Sequence, residues 1–398
     1  MAKINSNPEV RFAGFTEDWK MEFVGTYYDF KNGLNKSKEY FGHGIPIVNF
    51  TDVFHNRGIL TAQLNGKVDV NIDEIKNYSV KKGDLFFTRT SETIEEIGQP
   101  SVMLDKPNQA VFSGFILRAR AISEDPLDIG FKQYAFFTNS FRSEMVKKSS
   151  MTTRALTSGT AIKKMLFSFP KSKEEQKLIG NFFENIDKLI AEYKQKHTKL
   201  KSLKQAMIDK MFPKQGQLAP EIRFKGFEGN WKEYEVGRIF KVTRGNVLAA
   251  SKLSKTRSDV NQYPVYSSQT TNNGLLGYYD DFLFENAITW TTDGANAGTV
   301  NYRKGKFYST NVNGVLLSDE GFANQMVAEA INKLSDKYVS RVGNPKLMNN
   351  VMSQIKILIP NSIDEQMLIS KELELIDNVI SKYQTLISKL QIIKKAFF

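Results

Sequence analysis

The sequence is written twice, and most of what this chain can fold into follows from that. PEVRFAGFTEDWKMEFVG, beginning at Pro8, recurs as PEIRFKGFEGNWKEYEVG, beginning at Pro220, 212 positions later (220 − 8). Arg11, Phe12, Gly14, Phe15, Trp19 and Gly25 meet Arg223, Phe224, Gly226, Phe227, Trp231 and Gly237. GIPIVNFTDV around Pro46 has a looser echo in QYPVYSSQTT around Pro264. Towards the end of each copy the spacing is 190 (390 − 200): Pro170 matches Pro360, Glu175–Gln176 match Glu365–Gln366, and Asp187, Tyr193 and Leu200 match Asp377, Tyr383 and Leu390. The second copy is therefore shorter by 22 residues (212 − 190) between matching ends. Self-similarity over such long copies predicts two related folding units that share their edges and diverge in their middles.

Each copy closes on a long apolar seam. From Glu174 to Met211 the apolar positions are Ile179, Phe182, Ile186, Leu189, Tyr193, Leu200, Leu203 and Met207, stepping by 3 and 4 with Lys196 at the one interruption. From Glu365 to the end they are Ile369, Ile376, Val379, Tyr383, Leu386, Leu390, Ile393 and Phe397, with Glu372 as the exception. Pro170 precedes the first helix, Ser172 or Lys173 starts it, and Pro213 with Gly216 ends it. At 1.5 Å per residue it spans roughly 50 to 57 Å. Both helices need a partner for their stripes, and each is expected to be the other's.

The middles read as mixed α/β (α+β). Strands are expected at Ile45–Phe50, Asp84–Thr88, Val111–Ala119 and Leu166–Phe169 in the first copy, with a helix over Ile129–Lys147. In the second they are expected at Pro264–Ser267, Ala287–Thr291, Gly314–Leu317 and Ile355–Ile359, with a helix over Asn324–Leu334. Turn-rich stretches follow strand candidates directly: Thr88–Pro100, Ser267–Gly274 and Thr291–Gly298. Loops held by a rigid scaffold are where binding residues concentrate.

Composition narrows the chemistry. With no cysteine and three histidines, thiolate metal sites and a Cys nucleophile are excluded, and little is left for acid–base catalysis. There is no phosphate-loop, dinucleotide-fold, zincin or nucleophile-elbow motif. Asn344–Pro345 begins like the N-P-P-Y element of amino-methyltransferases, but Lys346 and Leu347 follow, so the stacking aromatic is missing. No metal site is expected, since Asp69, Asp73 and Glu74, or Glu92, Glu95 and Glu96, read as solvated faces. No apolar run reaches membrane length and no signal peptide opens the chain, so a cytoplasmic protein is expected. A net charge of +12 favours a polyanionic partner.

Two divergent heads, each followed by a long helix, form a specific layout. With RFxGFxxxW at Arg11–Trp19 and Arg223–Trp231, FP-x4-EQ at Phe169–Gln176, IP-x4-EQ at Ile359–Gln366, and the Ile–Asp steps at Ile186–Asp187 and Ile376–Asp377, the chain resembles the specificity subunits of type I restriction–modification systems over essentially its whole length. The resemblance implies two globular target-recognition domains, residues 1–170 and 216–360, separated by two antiparallel coiled-coil spacer helices, 171–215 and 361–398. It also implies a pseudo-twofold internal repeat. It further implies no catalysis and no cofactor bound by this chain itself. Double-stranded DNA would be the ligand. Two methyltransferase subunits bringing S-adenosylmethionine, and restriction and translocase subunits using ATP and magnesium, would be the partners. Two unlike heads should read an asymmetric bipartite target, with helix length capping the separation at roughly 15 base pairs of about 3.4 Å each.

Within that frame, side-chain chemistry selects contact candidates. For base edges these are Arg89, Thr90, Ser91 and Glu92 in the first head, and Ser267, Ser268, Thr292, Asp293 and Asn296 in the second. Arg suits guanine, Asn suits adenine, and carboxylates suit the cytosine amino group. Arg89 is alternatively a surface partner of Glu92. For phosphates they are Lys147, Lys148 and Arg154, and Lys333, Lys337, Arg341 and Lys346. Two rivals remain at this level: a repeat scaffold whose heads bind peptide, and an RNA-binding factor, although no RNP1 strand, GXXG clamp or OB pattern is present.

Overall fold

The computed structural model describes residues 8, 10–268 and 271–396. These fall into two compact units. Unit 1 runs up to Tyr193 and includes the chain from Leu386 onwards; unit 2 is Lys194–Thr385. Both long helices are thus shared: α3 (Lys173–Met211) and α5 (Ile363–Ala396) each contribute to both units. One half of each helix packs on each unit.

Unit 1 contains β1 (Lys20–Phe23), β2 (Tyr28–Asn32), β3 (Phe41–Val48), β4 (Gly58–Ile59), β5 (Lys67–Val68), β6 (Leu85–Thr88), β7 (Thr90–Ser91), β8 (Pro100–Met103), β9 (Val111–Phe112), β10 (Ile116–Ala121), β11 (Ser150–Met151), β12 (Ala155–Leu156) and β13 (Leu166–Phe169). Its main sheet has the order β2-β10-β6-β8-β4, flanked by β5-β3-β9, β11-β12-β7 and the pair β1-β13. Unit 2 contains β14 (Lys232–Glu235), β15 (Lys241–Arg244), β16 (Tyr263–Tyr266), β17 (Leu275–Tyr279), β18 (Phe284–Thr291), β19 (Val300–Ser309), β20 (Asn313–Leu317) and β21 (Lys356–Ile359). Its sheet runs β15-β20-β18-β19-β16-β17, with β14-β21 apart. The framework is the same: β2-β10-β6-β8 corresponds to β15-β20-β18-β19, and β1-β13 to β14-β21.

Three expected elements come out differently. The helix over 129–147 is two helices, α1 (Ile129–Ala135) and α2 (Asn139–Lys148), because the Thr138 hydroxyl accepts from Phe141 N and caps a new start. The strand over 111–119 divides at Ser113, where a turn closed by Ile116 N on Ser113 O lets β9 join β3 while β10 joins the main sheet. The strand expected over 45–50 is β3, Phe41–Val48, and stops where Asn49 and Asp52 form a capping box. Helix α4 (Gln325–Ser335), by contrast, keeps to the span expected over Asn324–Leu334, with Asn324 as its cap accepting from Val327 N.

The repeated openings are clamps. Arg11 grips Glu175 through Nε and Nη2 at 2.6 and 2.8 Å, and Arg223 grips Glu365 at the same two distances. Both carboxylates are buried. Trp19 Nε1 adds a bond to Glu175 at 3.3 Å. The neighbouring glutamines are fully buried: Gln176 donates to Pro170 O and Pro126 O, and Gln366 donates to Pro360 O. The motifs that open each copy and start each helix therefore tie the head to its helix.

The seam is only partly as the heptads place it. Ile186 and Ile369 are buried, and Ile179, Phe182, Tyr193, Leu200, Met207, Ile376, Tyr383, Leu386 and Leu390 are half-buried. Leu189, Leu203, Val379 and Ile393 are exposed, which corrects their assignment to the seam, and Phe397 lies outside the described residues. Phe183, Ile208, Leu373 and Ile387 are buried instead. Phe183 packs on Tyr134 of unit 1, and Ile208 enters the unit 2 core with Trp231 and Trp290. A helix that packs on a globular body as well as on another helix buries a wider, 3.6-periodic stripe than the a/d seam.

Unit 1 pairs the first half of α3 with the end of α5 through Asp187–Lys394 and Ile186 beside Leu390. Unit 2 pairs the second half of α3 with the start of α5 through Lys204, which lies 2.9 Å from Asp377 and 2.7 Å from Glu329. That order is antiparallel. Among the described residues, no helix is long and apolar enough to cross a membrane.

Candidate nucleic-acid interface

In unit 1 the loop after β6 is closed at its base. Thr88 donates its backbone N–H to Gln99 O and accepts Gln99 N–H on its hydroxyl, at 3.0 and 2.9 Å. Arg89 N donates to Phe115 O, and Arg89 O accepts from Thr157 N. Thr90 and Ser91 pair with Leu156 and Ala155. Arg142 of α2 donates to the carbonyls of Glu95, Ile97 and Gly98, fastening the far end of the loop. Its burial lowers the guanidinium pKa.

On this fixed base the candidates separate. Ser91 is buried, and its hydroxyl accepts from Thr93 N. Glu92 pairs with Arg154 at 3.0 Å, both well exposed, so its partner is Arg154 rather than Arg89. Lys147 and Lys148 are exposed in the last turn of α2, just before β11, and Lys148 lies 3.9 Å from Glu144. Arg89, Thr90, Glu92, Arg154 and the two lysines are thus gathered by one small sheet and the helix leading into it.

In unit 2 the equivalent loop follows β18. It is closed by Thr291 N on Thr299 O and Gly298 N on Thr291 O. Its tip lies along the segment 340–347: Gly294 N donates to Pro345 O, Leu347 N to Thr292 O, and Lys346 lies 3.9 Å from Asp293. Gly294 has φ +95°, a conformation that favours glycine. Thr292 is completely buried, its hydroxyl engaged with Val312 O and Asp293. Asn296 donates to Ser268 O, and Ser267 shares a hydrogen bond with Thr310. Arg341 pairs with Asp336 on the surface, Lys337 is exposed, and Lys333 lies over the Phe212 ring at 5.2 Å. Of the turn stretch 267–274, residues 269 and 270 lie outside the described residues.

Sequence reasoning missed the floor beside this loop. Ser267, Asn273, Gly274, Thr289, Thr291, Asn296, Thr299, Asn301, Arg303 and Asn313 line a cavity of about 210 Å³. Arg303 is 7% exposed, donates from Nε to Thr289 Oγ1 at 3.1 Å and lies 3.8 Å over the Tyr266 ring. Burial lowers its pKa to about 10. The available signal was Thr289 between Ile288 and Trp290: a polar residue amid core positions of a strand, facing opposite to them.

Comparison with known proteins gives this arrangement a family. The family described as type I restriction modification DNA specificity domain matches residues 228–391. A Mycoplasma pneumoniae protein named as a type I specificity subunit N-terminus is 38% identical over 129 residues, 32% of this chain and 67% of that protein. The chain belongs to the specificity subunits of type I restriction–modification systems. The specificity subunit of the M. pneumoniae type I restriction enzyme MpnII is 32% identical over 133 residues, 33% of this chain and 39% of its own length. The crystal structure of the specificity subunit from M. genitalium shares the fold over 98% of both chains, with a TM-score of 0.69 at 16% identity. As a type I specificity subunit the chain is a DNA-recognition component and not a catalytic one, and its two α/β units with long antiparallel helices are the fold of that class.

Proposed function

We propose that this specificity subunit reads an asymmetric, bipartite target in double-stranded DNA, one half-site per unit, and directs adenine methylation and restriction by partner subunits. The observation that carries this reading is the pair of identical Arg–Glu clamps on two units whose strand-end loops differ. A shared frame with unlike loops is what reading two unlike half-sites requires. The partners are two methyltransferase subunits, which supply S-adenosylmethionine, and restriction and translocase subunits, which use ATP and magnesium, all in the cytoplasm.

Arg89, Thr90 and Glu92 in unit 1, and Ser267, Ser268, Asp293 and Asn296 in unit 2, are the base-reading candidates, while the burial of Ser91 and Thr292 gives those two an internal role. Lys147, Lys148, Arg154, Lys337, Arg341 and Lys346 are the phosphate candidates, and Lys333 contributes packing on Phe212 as well as charge. The test is methylome sequencing of a methylation-deficient host expressing the chain with its methyltransferase subunit, beside a variant carrying another head in place of Lys36–Ala161. A bipartite methyladenine motif altered in one half by the exchange is the expected result. No motif, with both proteins soluble and associated, or a change in both halves, overturns it.

A further inference from the structure

The cavity in unit 2 occupies a layer whose matched unit 1 positions are mostly apolar, with buried Ser101 and Arg118 among the polar exceptions. The two sheets align by their hydrogen bonds: Thr88 and Thr291 close the same loop, and Arg89 and Thr292 donate to matching carbonyls, Phe115 and Val312. In that register Phe86 corresponds to Thr289, Met103 to Arg303 and Ile116 to Asn313. The parallel pairs β3-β9 and β16-β19 likewise match Phe112 with Ser309. The four unit 1 residues belong to one apolar cluster and are fully buried. Their unit 2 counterparts are just as withdrawn from solvent at the sheet, yet every one is polar, and one is a cation.

This layer is not satisfied among the described residues. Among the described residues no carboxylate lines the cavity, so Arg303 has no counter-charge from them. Asn313 Oδ1 and Ser309 Oγ are buried without a hydrogen-bond partner, and Asn313 faces the cavity. Buried cations are ordinarily paired and buried polar atoms hydrogen-bonded, because desolvation is otherwise uncompensated. At the mouth Asn273 and Thr299 are exposed. The volume is below the roughly 300–1,000 Å³ of sites for larger organic ligands, but suits a compact oxyanion with a few waters of about 30 Å³ each.

We propose that the cavity binds one phosphate group, with the Arg303 guanidinium as counter-charge and the hydroxyls of Thr291 and Thr299 as donors. The group comes from the DNA backbone or from free phosphate; only the first source rests on the proposed DNA reading. Arg is suited to this role because its planar fork bonds an oxyanion through two N–H groups while its face stays on Tyr266.

The test uses the full chain, Arg303→Met, and Thr299→Ile, which closes the exposed mouth. Inorganic phosphate is titrated against chloride at constant ionic strength while thermal unfolding is followed, and duplex DNA binding is measured across salt concentration. Phosphate is expected to raise the unfolding midpoint of the wild type and not of either variant. If the occupant is a backbone phosphate, Arg303→Met also lowers the slope of log K against log salt by about 0.9. A lost phosphate response with an unchanged DNA slope supports free phosphate as the source. A phosphate response seen in the wild type and lost in both variants, with no DNA binding by the wild type, leaves the phosphate site standing and removes the DNA reading. Variants that respond to phosphate as the wild type does, or a wild type indifferent to phosphate with an unchanged DNA slope, overturn the proposal. Should Arg303→Met fail to fold, Thr299→Ile decides.

Discussion

Units 1 and 2 build one sheet framework around opposite interiors. On one face the central strands agree: Leu85 and Phe87 of β6 enter the unit 1 core, and Ile288 and Trp290 of β18 enter that of unit 2. On the other face they part. Phe86 sits in a dry cluster with Met103, Phe112 and Ile116, whereas Thr289 faces Arg303 and a polar cavity. Successive strand side chains point to opposite faces, so a sheet keeps the face that holds it to its helices while the other is rewritten. What diverges between the copies is therefore not only the loops but the layer beneath them.

That contrast can be broken most sharply at the paired residues of the layer. Phe86→Ala should cost unit 1 about 3–5 kcal/mol through lost burial and a residual cavity. Thr289→Ala, at the matched position, should cost about 1 kcal/mol, a hydrogen bond in an already polar layer. Hydrogen exchange of the β6 and β18 amides under mild denaturant measures both; equal losses would erase the distinction between dry and polar interiors.

The clamps should show the opposite behaviour. Glu175→Ala and Glu365→Ala each remove both bonds to a partly buried arginine and should cost about 1.5–3 kcal/mol apiece, Glu175→Ala slightly more because it also loses the Trp19 bond. Denaturant titration of each variant checks this, and a severalfold inequality would mean that the repeated openings hold their helices differently.

The smallest effect separates two ion pairs that occupy the same repeat positions. Burial opposes the charge of Lys204, but Glu329 and Asp377 together hold its pKa above the ordinary lysine value. Burial pulls Lys394 below that value despite Asp187, with Arg57 adding repulsion. Stability from Lys204 is fully present below the unfolded value of 10.5 and is lost as pH rises through the higher folded one. Lys394 releases its proton first in the folded state, so its contribution rises with pH from the depressed folded value up to 10.5. Across alkaline pH on either side of the ordinary lysine value of 10.5, unfolding free energies should lose the rising component in Lys394→Met and the falling component in Lys204→Met. Identical profiles for the two variants would show the pairs to be electrostatically equivalent.

Much of the architecture was legible in local pattern. The duplicated openings, the long helices, the helix over Asn324–Leu334 and the strand Leu166–Phe169 are each specified by residues close together in the chain, through periodicity and turn chemistry. The contact candidates were legible as chemistry but not as geometry. Nothing in the spacing told that Glu92 would take Arg154, or that Ser91 and Thr292 would be buried.

By itself, then, the sequence determined that there are two related α/β units and two long helices, because repeats and amphipathic periods are properties of neighbouring residues. Only the tertiary structure decided where Arg11 and Arg223 reach, 164 and 142 residues along the chain, and which seam residues stay exposed. Only it brought Thr289, Arg303 and Asn313 from three strands to one cavity. Such meetings depend on strand order and register, which bring distant residues together, and a side chain's polarity alone does not say which face it will line.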